Sequence, residues 1–339
     1  MTITVGSLYA GVGGIDLGFS QAGAKVDWAN ELDPHAVRTY IANHDSHMEE
    51  GDVAQIEPLA RTDILTAGIP CQPFSHAFNH HKGFEDARGT AFFDVMRWAA
   101  VNQPEIIFIE NVANFRRHDQ GRTLQIVRTT MENEGYKVFD ILLNTCHCTD
   151  IPQNRERTFI IGYRDSHRYQ RFINEYDSRL CDPPPMLRPM TDLLETGPVN
   201  ERYYYREDRS YYAELSAGVK SRNIMYQWRR SYVRQNKKGL CPTLTANCGT
   251  GGNNLPIILT DHGIRRLTPR EAFNFQGFPD TFVLPQDSAD SHLYKQAGKS
   301  DRTKNLRSAC ARGWALAVYE ANSNRVVRTP LGLQITMGI

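Results

Sequence analysis

Ile3-Thr4-Val5-Gly6-Ser7-Leu8-Tyr9-Ala10, then Gly11-Val12-Gly13-Gly14, then Ile15-Asp16-Leu17-Gly18-Phe19 reads as a short apolar strand, a glycine turn and a helix, with Gly23 near its end. Glycines let a backbone approach a ligand closely, and a helix N-terminus offers free N–H groups to a carboxylate or phosphate. A second strand from Lys25 to Ala29 ends in Asn30-Glu31, an acidic residue about twenty positions after the glycines, where a doubly wound fold holds a ribose diol. A third short strand closes at Gly51-Asp52, whose carboxylate suits either an adenine amino group or the cap of a helix beginning near Ala54. The same opening also suits a nicotinamide enzyme, so the glycines alone do not separate the two.

Further along, Asp63 to Ala67 is a fourth strand that breaks at Gly68 and Pro70 and delivers Cys71 into a polar loop containing His76, His80, His81, Glu85 and Arg88. A cysteine so placed is a candidate nucleophile, and a long loop beside it suits a lid. A helix from Thr90 to Ala100 leads to the buried-type strand Glu105 to Ile109, which ends in Glu110-Asn111-Val112. Ligand crevices of open α/β sheets lie outside the carboxyl ends of the strands, so Cys71 and Glu110 are expected on one rim. After a helix near Leu124 to Asn133 and a strand Tyr136 to Leu143, Gln153-Asn154-Arg155-Glu156-Arg157 enters the strand Thr158 to Tyr163. Strand alternation puts Arg155 and Arg157 on one face, suited to an oxygen-rich substrate.

Composition changes after Arg164, through Pro183-Pro184-Pro185, Tyr203-Tyr204-Tyr205 and Trp228-Arg229-Arg230 with Arg234, Lys237 and Lys238. Interleaved cations and aromatics suit phosphate contact and base reading in a second lobe. The chain of 339 residues is 40% hydrophobic and 23% charged with a net charge of +1, an ordinary globular balance in which only local charge can speak for a nucleic-acid partner. Seven scattered cysteines form no disulfide framework, no leader is expected, and no apolar run approaches the ~20 residues of a membrane span, which together read as a cytoplasmic protein. Cys146-His147-Cys148 lacks a second pair at ligand spacing, so no metal is expected.

The ordered set Gly11-Val12-Gly13-Gly14, Pro70-Cys71-Gln72, Glu110-Asn111-Val112 and Gln153-Asn154-Arg155-Glu156-Arg157 resembles the DNA cytosine-5 methyltransferases of bacterial and phage modification systems. Arg266-Leu267-Thr268-Pro269-Arg270-Glu271 and Gln276-Gly277-Phe278-Pro279 add the pattern this family carries after its recognition region. The resemblance covers roughly Val5 to Arg164 and Leu240 to Gly298, leaving the variable lobe between them unmatched. It implies an α/β fold: a doubly wound, Rossmann-like methyltransferase domain with a smaller target-recognition domain. The expected division is 1–176 catalytic, 177–284 target recognition, 285–325 a C-terminal segment returning to the catalytic domain, and 326–339 a tail.

The same resemblance implies methyl transfer from S-adenosylmethionine to carbon 5 of a cytosine flipped out of double-stranded DNA, within a restriction-modification system. Cys71 is implied as nucleophile, Glu110 and Arg157 as groups holding the ring, and Arg155 as their support. For the cofactor it implies Gly11, Gly13 and Gly14 beneath it, Tyr9 against adenine, Glu31 on the ribose, Asp52 on the adenine amine, and Gly68 and Pro70 alongside. A monomer is expected, with a cognate endonuclease acting separately. No side chain stands out as the base for carbon 5.

Four rivals remain at this level. They are the nicotinamide oxidoreductase, an amino-group methyltransferase suggested by Asp182-Pro183-Pro184, a DNA-binding relative weakened in catalysis, and an RNA-modifying branch. The third draws on one departure from the pattern. Where the family writes Gly-Asn-Ser and small or apolar residues, this chain has Gly298-Lys299-Ser300-Asp301, which predicts weakened cofactor binding through local divergence or a shifted reading frame. Cys310, Trp314, Ala317 and Val318 still recur at helical spacing beyond it.

Overall fold

The computed structural model describes residues 2–70, 91–175, 186–229, 231–236, 238–248 and 255–299. Cys71, the loop through Arg88, Asp182 to Pro185, Arg230, Lys237 and everything from Ser300 onward lie outside the described residues.

The first seven strands are β1 (Thr4–Leu8), β2 (Lys25–Glu31), β3 (His47–Glu50), β4 (Ile64–Gly68), β5 (Ile106–Val112), β6 (Lys137–Asn144) and β7 (Glu156–Tyr163). They form one sheet in the order β3-β2-β1-β4-β5-β7-β6, with β7 antiparallel to both its neighbours and the rest parallel. Alternation along the central strands sends side chains to two apolar layers. Leu65, Ala67, Ile107 and Ile109 pack with Phe92, Val95 and Trp98 of α3 (Ala91–Asn102) and Val127 and Met131 of α4 (Arg122–Asn133). Ile64, Ile106 and Phe108 face the other way, against Phe19 of α1 (Gly14–Gln21) and Phe172 of α6 (Ser166–Glu175), the single turn α5 (Thr145–Cys148) lying between β6 and β7. Helices on both faces of a mostly parallel sheet make this the doubly wound α/β architecture.

Three sequence expectations are corrected. Residues from Ala54 form a turn rather than a helix, because the Asp52 Oδ1 accepts from the Ala54 N–H and the chain passes directly to Pro58. Glu110 is not past the end of β5 but within it, since β7 pairs with the strand as far as Val112 opposite Arg157. The run Cys241-Pro242-Thr243-Leu244-Thr245, which reads from its sequence as a strand element, forms none: it makes one isolated bridge, Cys241 to Gln153.

A second sheet, in the order β11-β10-β8-β9, comprises β8 (Met225–Arg229), β9 (Tyr232–Asn236), β10 (Ile257–Thr260) and β11 (Gly263–Arg266). Its inner face packs on α7 (Tyr212–Gly218) through Tyr226, Ile257, Ile264, Leu215 and Val219. The chain then forms α8 (Pro269–Phe275) and α9 (Asp290–Lys299). The α9 helix lies against α2 (Pro34–Ile41): the Thr39 hydroxyl donates to Gln296 at 3.0 Å, and Lys295 pairs with Asp33 at 2.7 Å. Burial pushes the Asp33 carboxyl up, but the Lys295 hydrogen bond and charge outweigh it and hold the group below its usual range.

One buried ion pair organises the second region. Arg265 and Glu271 are 1% and 0% exposed and bidentate, at 2.7 and 2.6 Å. Glu271 also accepts from the Thr268 and Glu195 N–H groups, closing a capping box at the start of α8. Every carboxylate lone pair is thereby used, the condition under which a buried pair is tolerated.

Candidate active site

At the carboxyl ends of β1, β4 and β5 the chain makes three adjacent features. The first is the glycine turn. Tyr9, Gly11 and Gly13 have φ of 55°, 59° and 79°, a left-handed path that two glycines adopt without strain and Tyr9 adopts despite its side chain. A Cβ on Gly11 would meet none of the described residues within 4 Å. From below, the Gly11 N–H donates to Glu31 Oε2 at 2.8 Å, and Glu31 Oε1 accepts from the Leu32 and Asp33 N–H groups. Three of its roughly four acceptor sites are therefore filled, leaving capacity for one more donor such as a sugar hydroxyl. Asn30 donates to the Glu49 and Gly51 carbonyls, which fixes the backbone that carries Asp52.

The second feature is the opening at Gly68. A Cβ there would lie 3.6 Å from the Tyr9 carbonyl and 4.0 Å from Glu110 Oε2, so this glycine separates the turn from the carboxylate. Gly68 is also the register partner of Glu110. Beyond it, the Asn111 amide donates to the Ile69 carbonyl at 3.3 Å and its oxygen accepts from the Val112 N–H. Asn111 thus anchors the backbone at Ile69, just before Pro70 and Cys71.

The third feature is the pair itself. Arg157 Nε lies 2.9 Å from Glu110 Oε1, with side chains 12% and 5% exposed, while its Nη1 donates to the Glu156 carbonyl at 2.8 Å. At that burial solvent screens the attraction between the two charges little. The two arginines part company here. Arg155 is 3% exposed and donates to the Leu244 carbonyl at 2.8 Å and the Gly298 carbonyl at 3.3 Å, away from Glu110. It joins β7, the second region and α9, where a Cβ on Gly298 would stand 2.1 Å from the Thr245 carbonyl oxygen.

Tyr9 donates its hydroxyl to Asp94 at 3.3 Å, and burial first, then the Asp94 charge, pushes the phenol above its ordinary range. Beneath Gly13 lies a buried network. His44 Nε2 is 3.2 Å from the Val12 carbonyl, and a Cβ on Gly13 would meet that nitrogen at 2.2 Å. Tyr40 stacks on His44 and donates to Asp16 at 2.8 Å. Burial lowers the His44 imidazole and raises the Asp16 carboxyl, each pulled the other way by its partner's charge.

Two features escaped the sequence reading. Leu32, 62% exposed directly after Glu31, offers an apolar side chain at the rim, and an exposed leucine following an acidic strand end was the available signal. The Arg265–Glu271 pair was hidden because six residues separate its partners, a spacing that marks no single element.

A doubly wound sheet with a glycine turn at the carboxyl ends of its strands is the architecture of an enzyme that binds a nucleoside-containing cofactor. The family described as C-5 cytosine-specific DNA methylase matches residues 3–307, and the chain belongs to it. It is 44% identical over 304 residues to the type II methyltransferase M.Bsp6I of Bacillus sp. (strain RFL6), covering 88% of this chain and 94% of that one. To the type II methyltransferase M.HhaI of Haemophilus parahaemolyticus it is 33% identical over 311 residues, covering 86% and 88%. Among solved structures, the Dnmt2 methyltransferase of S. pombe superposes with a TM-score of 0.67 at 18% identity, covering 94% of this chain and 99% of that one, a likeness of fold. The family match runs past Lys299, so a relative weakened in catalysis is not favoured. The oxidoreductase and amino-methyltransferase readings fall with the same finding. Among the described residues no helix is long and apolar enough to cross a membrane.

Proposed function

We propose that this chain is the modification enzyme of a type II restriction-modification system, methylating carbon 5 of one cytosine in a short duplex target with S-adenosylmethionine as donor. The observation that carries the reading is the Glu110–Arg157 pair at 2.9 Å, two strands' ends from the glycine turn and two residues' reach from Pro70. The glycine turn, the spare acceptor capacity of Glu31, the apolar side chain of Leu32 and the carboxylate of Asp52 suit an adenosyl cofactor, with Tyr9, Gly13, Gly14, Gly68 and Pro70 beside it. When bound there, S-adenosylmethionine supplies an electrophilic methyl group.

The remaining chemistry belongs to the chain. Carbon 5 of cytosine is a poor nucleophile. The Cys71 thiolate adds to carbon 6, forming a carbon–sulfur bond and turning the ring into an enamine. Glu110 binds the ring nitrogen and exocyclic amine and favours the charge developing there, while Arg157 holds both Glu110 and the ring oxygen. After transfer, loss of the carbon 5 proton expels the thiolate. Arg155 holds the strand that carries Arg157 against the second lobe and touches no reacting atom. The lobe from 177 to 284 reads the target, the segment 285–325 returns to the catalytic domain, and the protein works as a cytoplasmic monomer beside a separate endonuclease.

Bisulfite sequencing of genomic DNA from cells expressing the chain tests activity and target together. Cys71→Ser is expected to abolish methylation while cofactor affinity is retained, and duplexes carrying 5-fluorocytosine at the target are expected to leave a denaturant-resistant adduct, because the carbon 5 proton is absent. Turnover by the serine variant would remove the covalent step.

A further inference from the structure

The β8–β9 hairpin has two unlike faces. Its register pairs Gln227 with Arg234, Trp228 with Val233 and Arg229 with Tyr232. Cross-strand partners share a face, so Trp228 and Val233 lie on one side with Tyr226, and Gln227, Arg229, Tyr232 and Arg234 on the other. The first side is core: Trp228 stacks on Tyr211 at 5.2 Å, and Val233 packs so closely on α7 that a Cβ on Gly218 would meet its Cβ at 2.8 Å. The second side is open toward the turn, with Arg229 and Arg234 exposed and Tyr232 58% exposed, while Met225 at its far end is buried.

Charge pairing separates these arginines from three others of the lobe. Arg202 carries Asp290, Arg206 carries Glu201, and Arg222 carries Asp261. Neither Arg229 nor Arg234 has a carboxylate partner among the described residues. Arg229 lies at the turn and donates to the Gln227 amide oxygen at 3.3 Å. Arg234, in the middle of β9, has no such tether among the described residues. The hairpin is also close to the catalytic strands. Cys241 follows Arg234 by seven residues, a reach of at most about 25 Å. There the backbone is bonded to the loop that leads into Arg157: Cys241 N–H to the Pro152 carbonyl at 2.6 Å, and Asn154 N–H to the Cys241 carbonyl at 2.9 Å.

We propose that the outer face of the β8–β9 hairpin enters the major groove next to the flipped cytosine and that Arg234 reads a guanine of the target, resting on the function proposed above. A two-stranded ribbon fits that groove, and a guanidinium free of carboxylates pairs bidentately with guanine O6 and N7. Arg229, oriented by Gln227, flanks it, and Tyr232 packs beside the bases.

The test methylates a random-sequence duplex library with wild type, Arg234→Ala and Arg234→Lys, and reads the product by bisulfite sequencing. The wild type is expected to yield one motif with a guanine near the cytosine. Arg234→Ala is expected to lose about 5- to 150-fold of the discrimination at that single position, with the other positions kept, and Arg234→Lys to lose less. An Arg234→Ala motif unchanged from wild type overturns the assignment. So does a uniform loss at every sequence with a shallower salt dependence, which would mark a phosphate contact. A wild type that methylates no cytosine overturns the proposed function itself.

Discussion

Arg157 faces two acceptors in different directions, the Glu110 carboxylate through Nε and the Glu156 carbonyl through Nη1. An ammonium is a point charge on a flexible stem and cannot hold both with one orientation. Arg157→Lys is therefore expected to lower kcat by about 10²-fold, the usual loss when an oriented donor to a developing charge is removed. Cofactor affinity should stay within about twofold, since the glycine turn is untouched. Steady-state methyl transfer and titration calorimetry on the same preparation check both halves, and a kcat within about threefold of wild type would dissociate Arg157 from the chemistry.

At the scale of elements, the readable parts were those in which one residue type has one use. The glycine turn and the buried-type strand before Glu110 each leave a local mark in the sequence. What stayed hidden depends on contacts between distant segments. Alternation grouped Arg155 with Arg157, but Arg155 lies before β7 and is drawn off by two carbonyls, at Leu244 and Gly298. The helix expected at Ala54 gave way to a turn because an Asx contact at Asp52 serves either structure locally. The antiparallel run of β7 leaves no periodic signature of its own.

The turn also sits on a titratable support. His44 is held neutral by burial, so its depressed imidazole contributes stability above its unfolded value of about 6.5, and that contribution is lost as pH falls through the folded value. Asp16, raised by burial, acts with the opposite sign, contributing below its unfolded value and losing that contribution as pH rises. Asp45 and Tyr40 complete the polar groups facing the ring. His44→Asn isolates one side of this opposition. The Tm advantage of wild type over the variant is expected to shrink between pH 7 and about pH 5. Calorimetric scans at both ends measure it, and a constant gap would exclude His44 from the acid response.

For the molecule as a whole, the joint between lobes uses main-chain groups at its centre. Pro152, Asn154, Cys241 and Leu244 offer backbone groups there, and the side chains of Arg155, Thr243, Asn43 and Arg188 add bonds around them. Such a joint tolerates a change of lobe. Exchanging residues 177–284 between this chain and another member of the family is expected to move the methylated site with the lobe, read by bisulfite sequencing. A chimera that keeps its host's site would locate recognition outside the exchanged segment.

Arg155 also sets the order in which the enzyme can come into being. One of its acceptors, Gly298, lies 143 residues downstream. At about 5–20 residues per second, a ribosome needs roughly 7–29 s to add that stretch. The seven-stranded sheet is complete once β7 has been made, eight residues after Arg155, and Leu244 follows at 89 residues, so the Gly298 contact comes later than both. A chain that ends before Gly298 lacks this acceptor and α9, and with them one of the bonds that hold Arg155 between the lobes.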